Sequence, residues 1–145
     1  MKTLWPSELI FKFICDNKLI SNLLVYVVLL SKLKNNFTIG YFITNRNGEI
    51  RIAKGFMLKA IETAKADYPM DYCGTLDDCS GIEIVVETIN ELKIQIERGR
   101  EFYPDKANEL QKLVQKCKNR KYNGESFVYK QPIKFKLSEV NIRKA

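Results

Sequence analysis

The chain has 145 residues, of which 46% are hydrophobic, 11% aromatic and 28% charged, and a formal net charge of +7. That size and balance fit one globular domain with a sizeable core and lie far from the composition of disordered segments. Histidine is absent, which removes the commonest general base and metal ligand and with them Ser-His, Cys-His and His-metal chemistry; binding, or catalysis by carboxylates and lysines, is what remains.

The opening residues put Pro6 and Glu8 where a signal peptide has its apolar core, and the apolar run over residues 19–30 is broken by Ser21 and Asn22. That run is too short to span a bilayer. The chain is therefore expected in the cytosol, not in a membrane, with Cys15, Cys73, Cys79 and Cys117 as free thiols. A loop clip between Cys73 and Cys79 is the alternative. Trp5 reads as an N-terminal packing residue rather than a platform for a ligand.

Residues 9–15 are apolar and aromatic, Asp16-Asn17-Lys18 is a turn, and residues 23–30 form a β-branched run. A third strand is expected over 37–44 and a fourth over 49–52, with Ile50 and Ile52 on one face. Between them Asn47-Gly48 predicts a two-residue type I′ hairpin, because that turn needs positive φ at both central residues.

The turn at 16–22, the apolar strand after it, and Thr44-Asn45-Arg46-Asn47-Gly48-Glu49-Ile50-Arg51-Ile52 together resemble the core of carboxypeptidase-regulatory and Cna-B-like domains, which are transthyretin-like β-sandwiches. Those modules read as a Pro-Ile-x-x-Val strand start followed by a Thr-Asp-x-x-Gly-x-Ile/Val hairpin. Leu19 stands here in place of the proline, and the later chain turns helical where the family adds strands. The resemblance covers residues 8–52; it implies a sandwich scaffold used for adhesion or domain support, and it carries over no catalytic residue.

Beyond residue 52 the period changes. Met57, Leu58, Ile61, Ala64 and Lys65 fall at helical spacing, predicting a helix over about 55–66 that stops at Tyr68-Pro69. A loop follows over 67–81, then a strand at 82–86. Thr88-Ile89-Asn90-Glu91 has the form of a capping box and opens a helix with Ile89, Leu92 and Ile96 inward, ending near Phe102. Pro104 begins another, with Ala107, Leu110, Leu113, Val114 and Cys117 on one stripe. Tyr103 is nearly the whole connection, so the two helices form a hairpin or a kinked pair. After a turn at 121–125 come strand residues 127–129, then Ile133, Phe135 and Leu137 alternating with Lys134 and Lys136; Pro132 argues for an edge position. The expected fold is a single α+β domain over 1–145, an antiparallel sheet or small sandwich with about three helices on or beside it. Residues 8–52 are its β-rich part, 55–121 its mainly helical part with one strand near 82–86, and 126–138 its C-terminal strands.

Charge is separated along the chain. Between Asp67 and Glu101 there are nine acids and three bases, and from Lys106 to Ala145 eleven bases and three acids. In the basic part Lys116, Lys118, Arg120, Lys121, Lys130, Lys134 and Lys136, with Tyr122 and Tyr129 interleaved, offer phosphate contacts and base stacking, hence a nucleic-acid-binding alternative. The same lysines also serve as edge protection and as complements to a helix dipole, and the few arginines argue against reading of base sequence.

The acidic part centres on the loop DYPMDYCGTLDDCSG. Tyr68, Met70 and Tyr72 are residue types enriched at interface centres, and with Asp71, Asp77 and Asp78 they make the candidate protein-binding site, suited to a basic partner. Asp67, Asp71, Asp77 and Asp78 also carry oxygen ligands for a hard cation, but their spacing matches no EF-hand loop, and neither a metal nor a cofactor is assigned. Cys79-Ser80-Gly81 lacks the histidine that would activate a nucleophile, and a carboxylate- or metal-dependent enzyme is the least favoured reading. The sequence thus points to a small non-enzymatic protein that binds another protein, such as an immunity protein or an inhibitor of a toxin or host factor.

Overall fold

The strand β1 (Glu8–Cys15) alternates, so Leu9, Phe11, Phe13 and Cys15 are buried on one face. In the computed structural model, which describes residues 5–130 and 137–145, β1 turns back on the short β2 (Lys18–Leu19), with Cys15 opposite Lys18. Asp16 and Asn17 have φ of 50° and 63°, the paired positive values of a type I′ turn. That turn chemistry was expected at Asn47-Gly48 and is found here instead.

At 45–48 the chain makes a different turn. The Gly48 N–H donates to the Asn45 carbonyl (2.9 Å), the Asn45 N–H donates to Glu49 (3.0 Å), and Gly48 has φ 71°, a three-residue loop closed by a left-handed glycine. The strands on either side do not form the expected hairpin: β4 (Phe37–Ile43) and β5 (Glu49–Ala53) belong to different sheets. The cause is local. The Gly48 carbonyl accepts the Phe13 N–H at 2.8 Å, which commits the chain to β1, and a Cβ at residue 48 would sit 3.0 Å from the Phe13 oxygen. Buried Thr44 fixes the crossing, its hydroxyl accepting from Leu23 N–H (2.9 Å) and donating to the Ile20 carbonyl (2.6 Å).

In the first sheet β1 pairs antiparallel with β2 and β5 and parallel with β8 (Leu137–Asn141). The second sheet is antiparallel, in the order β4-β3-β6-β7, with β3 (Leu24–Ser31), β6 (Cys79–Val86) and β7 (Glu125–Lys130). Phe11 and Phe13 of the first sheet meet Val25, Val27, Leu29, Ile82 and Ile84 of the second in one core, and Phe11 packs on Tyr129 with ring centroids 5.2 Å apart. The α+β expectation therefore holds, in its sandwich form. The parallel β8 was not foreseen. Residues 132–136, with Pro132, Ile133, Lys134, Phe135 and Lys136, lie outside the described residues.

Among the described residues three α-helices complete the fold. The helix α1 (Lys54–Asp67) buries Met57 and Ile61 in the sandwich core beside β4 and β5. The capping box at Thr88 and Glu91 starts α2 (Ile89–Phe102), and Pro104 starts α3 (Pro104–Lys116). With Tyr103 alone between them these two form a hairpin on the outer face of the second sheet, where Leu92, Ile96, Ala107, Leu110 and Val114 cluster with Leu24. Among the described residues no helix is long and apolar enough to cross a membrane. All four cysteines are unpaired, and Trp5 is buried with its indole N–H on the Leu76 carbonyl at 3.1 Å.

Candidate functional site

A cleft of about 1070 Å³ opens between α1 and the α2–α3 hairpin, just above the roughly 300–1,000 Å³ common for ligand sites. Its floor is the outer face of the second sheet. Strand alternation sends Val25 and Val27 into the core, so Tyr26 between them points outward, as does Tyr41 opposite it on β4. The two rings lie 4.8 Å apart. A register shift between Val27 and Val28 bulges β4 at this point, and Gly40, with φ 129°, leaves open space where a side chain would project. Phe56, Lys59 and Ala60 of α1 line one wall; Lys106, Ala107 and Leu110 of α3 line the other.

Glu87 lies on the floor, 9% exposed, directly after β6. The Tyr41 hydroxyl donates to its Oε1 at 2.8 Å. Burial raises the Glu87 carboxyl above the usual carboxylate range; the Tyr41 hydrogen bond works against that rise and the charge of Glu91 adds to it. Burial and the same carboxylate push the Tyr41 hydroxyl up as well, so it stays a donor. None of the ion pairs among the described residues involves Glu87. Its second oxygen has no hydrogen-bond partner among the described residues.

A fully buried amide fixes this acid in place. Asn119 Nδ2 donates to the Leu24 and Glu87 carbonyls, both at 2.9 Å, and Oδ1 accepts the Leu24 N–H at 2.9 Å. Asn119 therefore ties the chain after α3 to the start of β3 and the end of β6, satisfying backbone groups that no strand partner reaches.

Two of the sequence-predicted residues reach the cleft. Tyr68 and Tyr72 line it, with rings 6.3 Å apart. Tyr72 stacks on the buried Phe37 (5.5 Å), whereas Tyr68 is half exposed and its hydroxyl approaches that of Tyr103 to 3.5 Å, arching from α1 to the corner between α2 and α3. The other four lie elsewhere on the loop. Met70 is 82% exposed and Asp71 is exposed, their carbonyls held by the Lys34 ammonium (2.9 Å) and the Asn35 amide (3.1 Å). Asp78 caps a short 3-10 turn, accepting the Thr75 N–H at 2.7 Å, and Asp77 faces solvent beside it. Among the described residues no group of three or more Cys, Asp or Glu is placed to hold a metal ion. The Cys79 thiol is pushed up to about 11, by burial first and then by Asp78, which keeps it protonated near neutrality.

Among the described residues the basic candidates are spread over the end of α3 and the strand β7. Lys116, Arg120 and Lys121 are exposed around the end of α3, and Lys118 donates to the Ser21 hydroxyl at 3.1 Å. Lys130 is at the far end of β7, about 17 Å along the strand from Glu125, with Glu83 and Ser126 bonded to each other on the same face (2.7 Å). Lys134 and Lys136 lie outside the described residues.

Sequence reasoning missed Tyr26, Tyr41, Phe56, Glu87 and Tyr103. A signal existed for some of them: Tyr26 and Tyr41 occupy alternate strand positions that face away from the core, where a solvent-facing residue would ordinarily be polar, and Glu87 stands between an apolar strand and a capping box. No protein family, curated protein or solved structure matches the chain.

Proposed function

We propose that this chain is a non-enzymatic binding protein that takes a segment of another protein into the cleft between α1 and the α2–α3 hairpin, acting as an inhibitor or immunity protein does. The observation that carries this reading is aromatic clustering: of seven tyrosines, five (Tyr26, Tyr41, Tyr68, Tyr72 and Tyr103) line this one cleft, with Phe56 at its rim. Tyrosine supplies a large, stiff contact area at low entropic cost and dominates the centres of protein interfaces. The rim residues Phe56, Tyr68 and Tyr103 are each about half exposed, an arrangement that favours a partner over internal packing. The carboxylates Glu87, Glu91 and Glu109 along the cleft disfavour a nucleic-acid backbone there.

The sandwich itself supports the transthyretin-like resemblance as a proposal about its origin, since residues 8–52 contribute strands to both sheets. The function is tested by pulldown of the tagged protein from its native cells, with and without nuclease, using wild type, a Phe56→Ala/Tyr103→Ala double variant and Asp77→Asn. The expected outcome is one stoichiometric protein that survives nuclease, is lost with the cleft variant and is kept by Asp77→Asn. Retention by the cleft variant overturns the proposal, and loss of every partner on nuclease treatment favours the basic C-terminal region.

A further inference from the structure

The cleft floor combines two features that a purely apolar groove lacks: tyrosine faces, and a carboxylate with one oxygen committed and the other without a hydrogen-bond partner among the described residues. Tyr41 occupies Oε1 of Glu87, and no cation among the described residues pairs with the acid. Removing a carboxylate from water without a counter-charge is unfavourable, so the site is electrostatically incomplete as it stands. Two lysines line the cleft, Lys59 and Lys106. Lys106 lies 5.4 Å from the centre of the Tyr103 ring, an internal instance of the attraction between a cation and a tyrosine face. Neither lysine completes Glu87.

We propose that the cleft recognises a cationic side chain, an ammonium or guanidinium on an aliphatic stem, with its charge on the second oxygen of Glu87 and its stem across the Tyr26 and Tyr41 rings. A lysine or arginine of the partner segment has this chemistry, and the inference rests on the reading of the cleft as a protein-binding site. The aromatic faces shield the stem and attract the charge, Glu87 supplies the directional contact, and the gap at Gly40 leaves room above the floor.

The test is an NMR titration of the full chain with Nα-acetyl-lysine amide and, as a neutral match, Nα-acetyl-norleucine amide, each to tens of millimolar. The expected result is movement of the Tyr26 and Tyr41 ring signals, with the lysine probe at least about tenfold tighter than norleucine in wild type, a preference of about 1.4 kcal/mol. Glu87→Gln, which keeps the shape and the Tyr41 contact, is expected to abolish that preference. Equal affinity for both probes, or no movement with either, overturns the proposal. Capture of the partner separates this failure from that of the functional reading. A partner kept by Glu87→Gln but lost with Phe56→Ala/Tyr103→Ala leaves the cleft as the binding site and removes the cation, whereas a partner kept by both variants removes the cleft.

Discussion

The two faces of the β4-β3-β6-β7 sheet are built from the same strands and serve opposite ends. Inward, Val25, Val27, Leu29, Ile82 and Ile84 meet the facing sheet and are sealed. Outward, the α2–α3 hairpin packs over Leu24, with Tyr41 and Ile43 partly buried against it, and Tyr26, Tyr41, Val85 and Glu87 line the open cleft. In β3 the odd positions Val25, Val27 and Leu29 are sealed in the core, while the even position Tyr26 faces the cleft. The inner face is apolar but for side chains such as Tyr129, whose hydroxyl reaches the Glu139 carbonyl, whereas the outer face holds the Glu87 carboxylate.

Substitutions sharpen that contrast. The largest effect is expected inside: Phe13→Ala, at a position with no exposed surface, is expected to cost about 3–5 kcal/mol in urea unfolding, from lost burial and the cavity left behind. Asn119→Ala is next, on the order of 3 kcal/mol, because it strands the Leu24 N–H and the Leu24 and Glu87 carbonyls in the interior. A loss below about 1 kcal/mol in the same assay would show that water replaces the amide.

On the outer face the sign reverses. Glu87 has its folded pKa raised above its unfolded value, so the folded chain holds its proton more tightly. The stability this contributes is fully present below the unfolded value near 4.5 and is lost as pH rises through the higher folded one. Glu87→Gln is therefore expected to gain stability at neutral pH, by about 1 kcal/mol or less given that the carboxylate lines an open cleft. It should also flatten the fall in stability from about pH 4.5 upward. Thermal melts across that range check both, and an unchanged slope would show that Glu87 does not titrate apart from the other acids. Smallest of all, Phe56→Ala and Tyr103→Ala on the rim are expected to change stability by only about 0.5 kcal/mol while disrupting partner capture. With a neutral alkylating reagent, half-buried Cys73 is expected to react well before Cys79, whose buried thiol stays protonated.

Much of the fold was legible because its signals are local. The capping box at Thr88, the proline at α3's first turn and the alternation in β1 each act within a few residues, and the elements begin where those signals stand. The turn at 45–48 was misread because Asn-Gly allows a type I′ hairpin without requiring one; the Phe13 N–H, 35 residues away in the chain, decided its geometry. The loop at 67–81 drew attention through its density of Asp and Tyr, yet its aspartates diverge, Asp78 to a cap and Asp77 to solvent. Only Tyr68 and Tyr72 reach the cleft, at the two ends of a short stretch closed by the Tyr72 N–H on the Tyr68 carbonyl (3.2 Å).

By itself the sequence determined the chemistry available and the local elements: no histidine, an α+β pattern, three helices with their ends, and strands with one apolar face. Both follow from composition and from interactions a few residues long. Tertiary structure decided which strands share a sheet, that β8 runs parallel to β1, and that Tyr26, Tyr41, Glu87 and Tyr103 converge. Those four are spread over 78 positions of the chain, and long-range packing of two sheets and a helical hairpin is what brings them to one cleft.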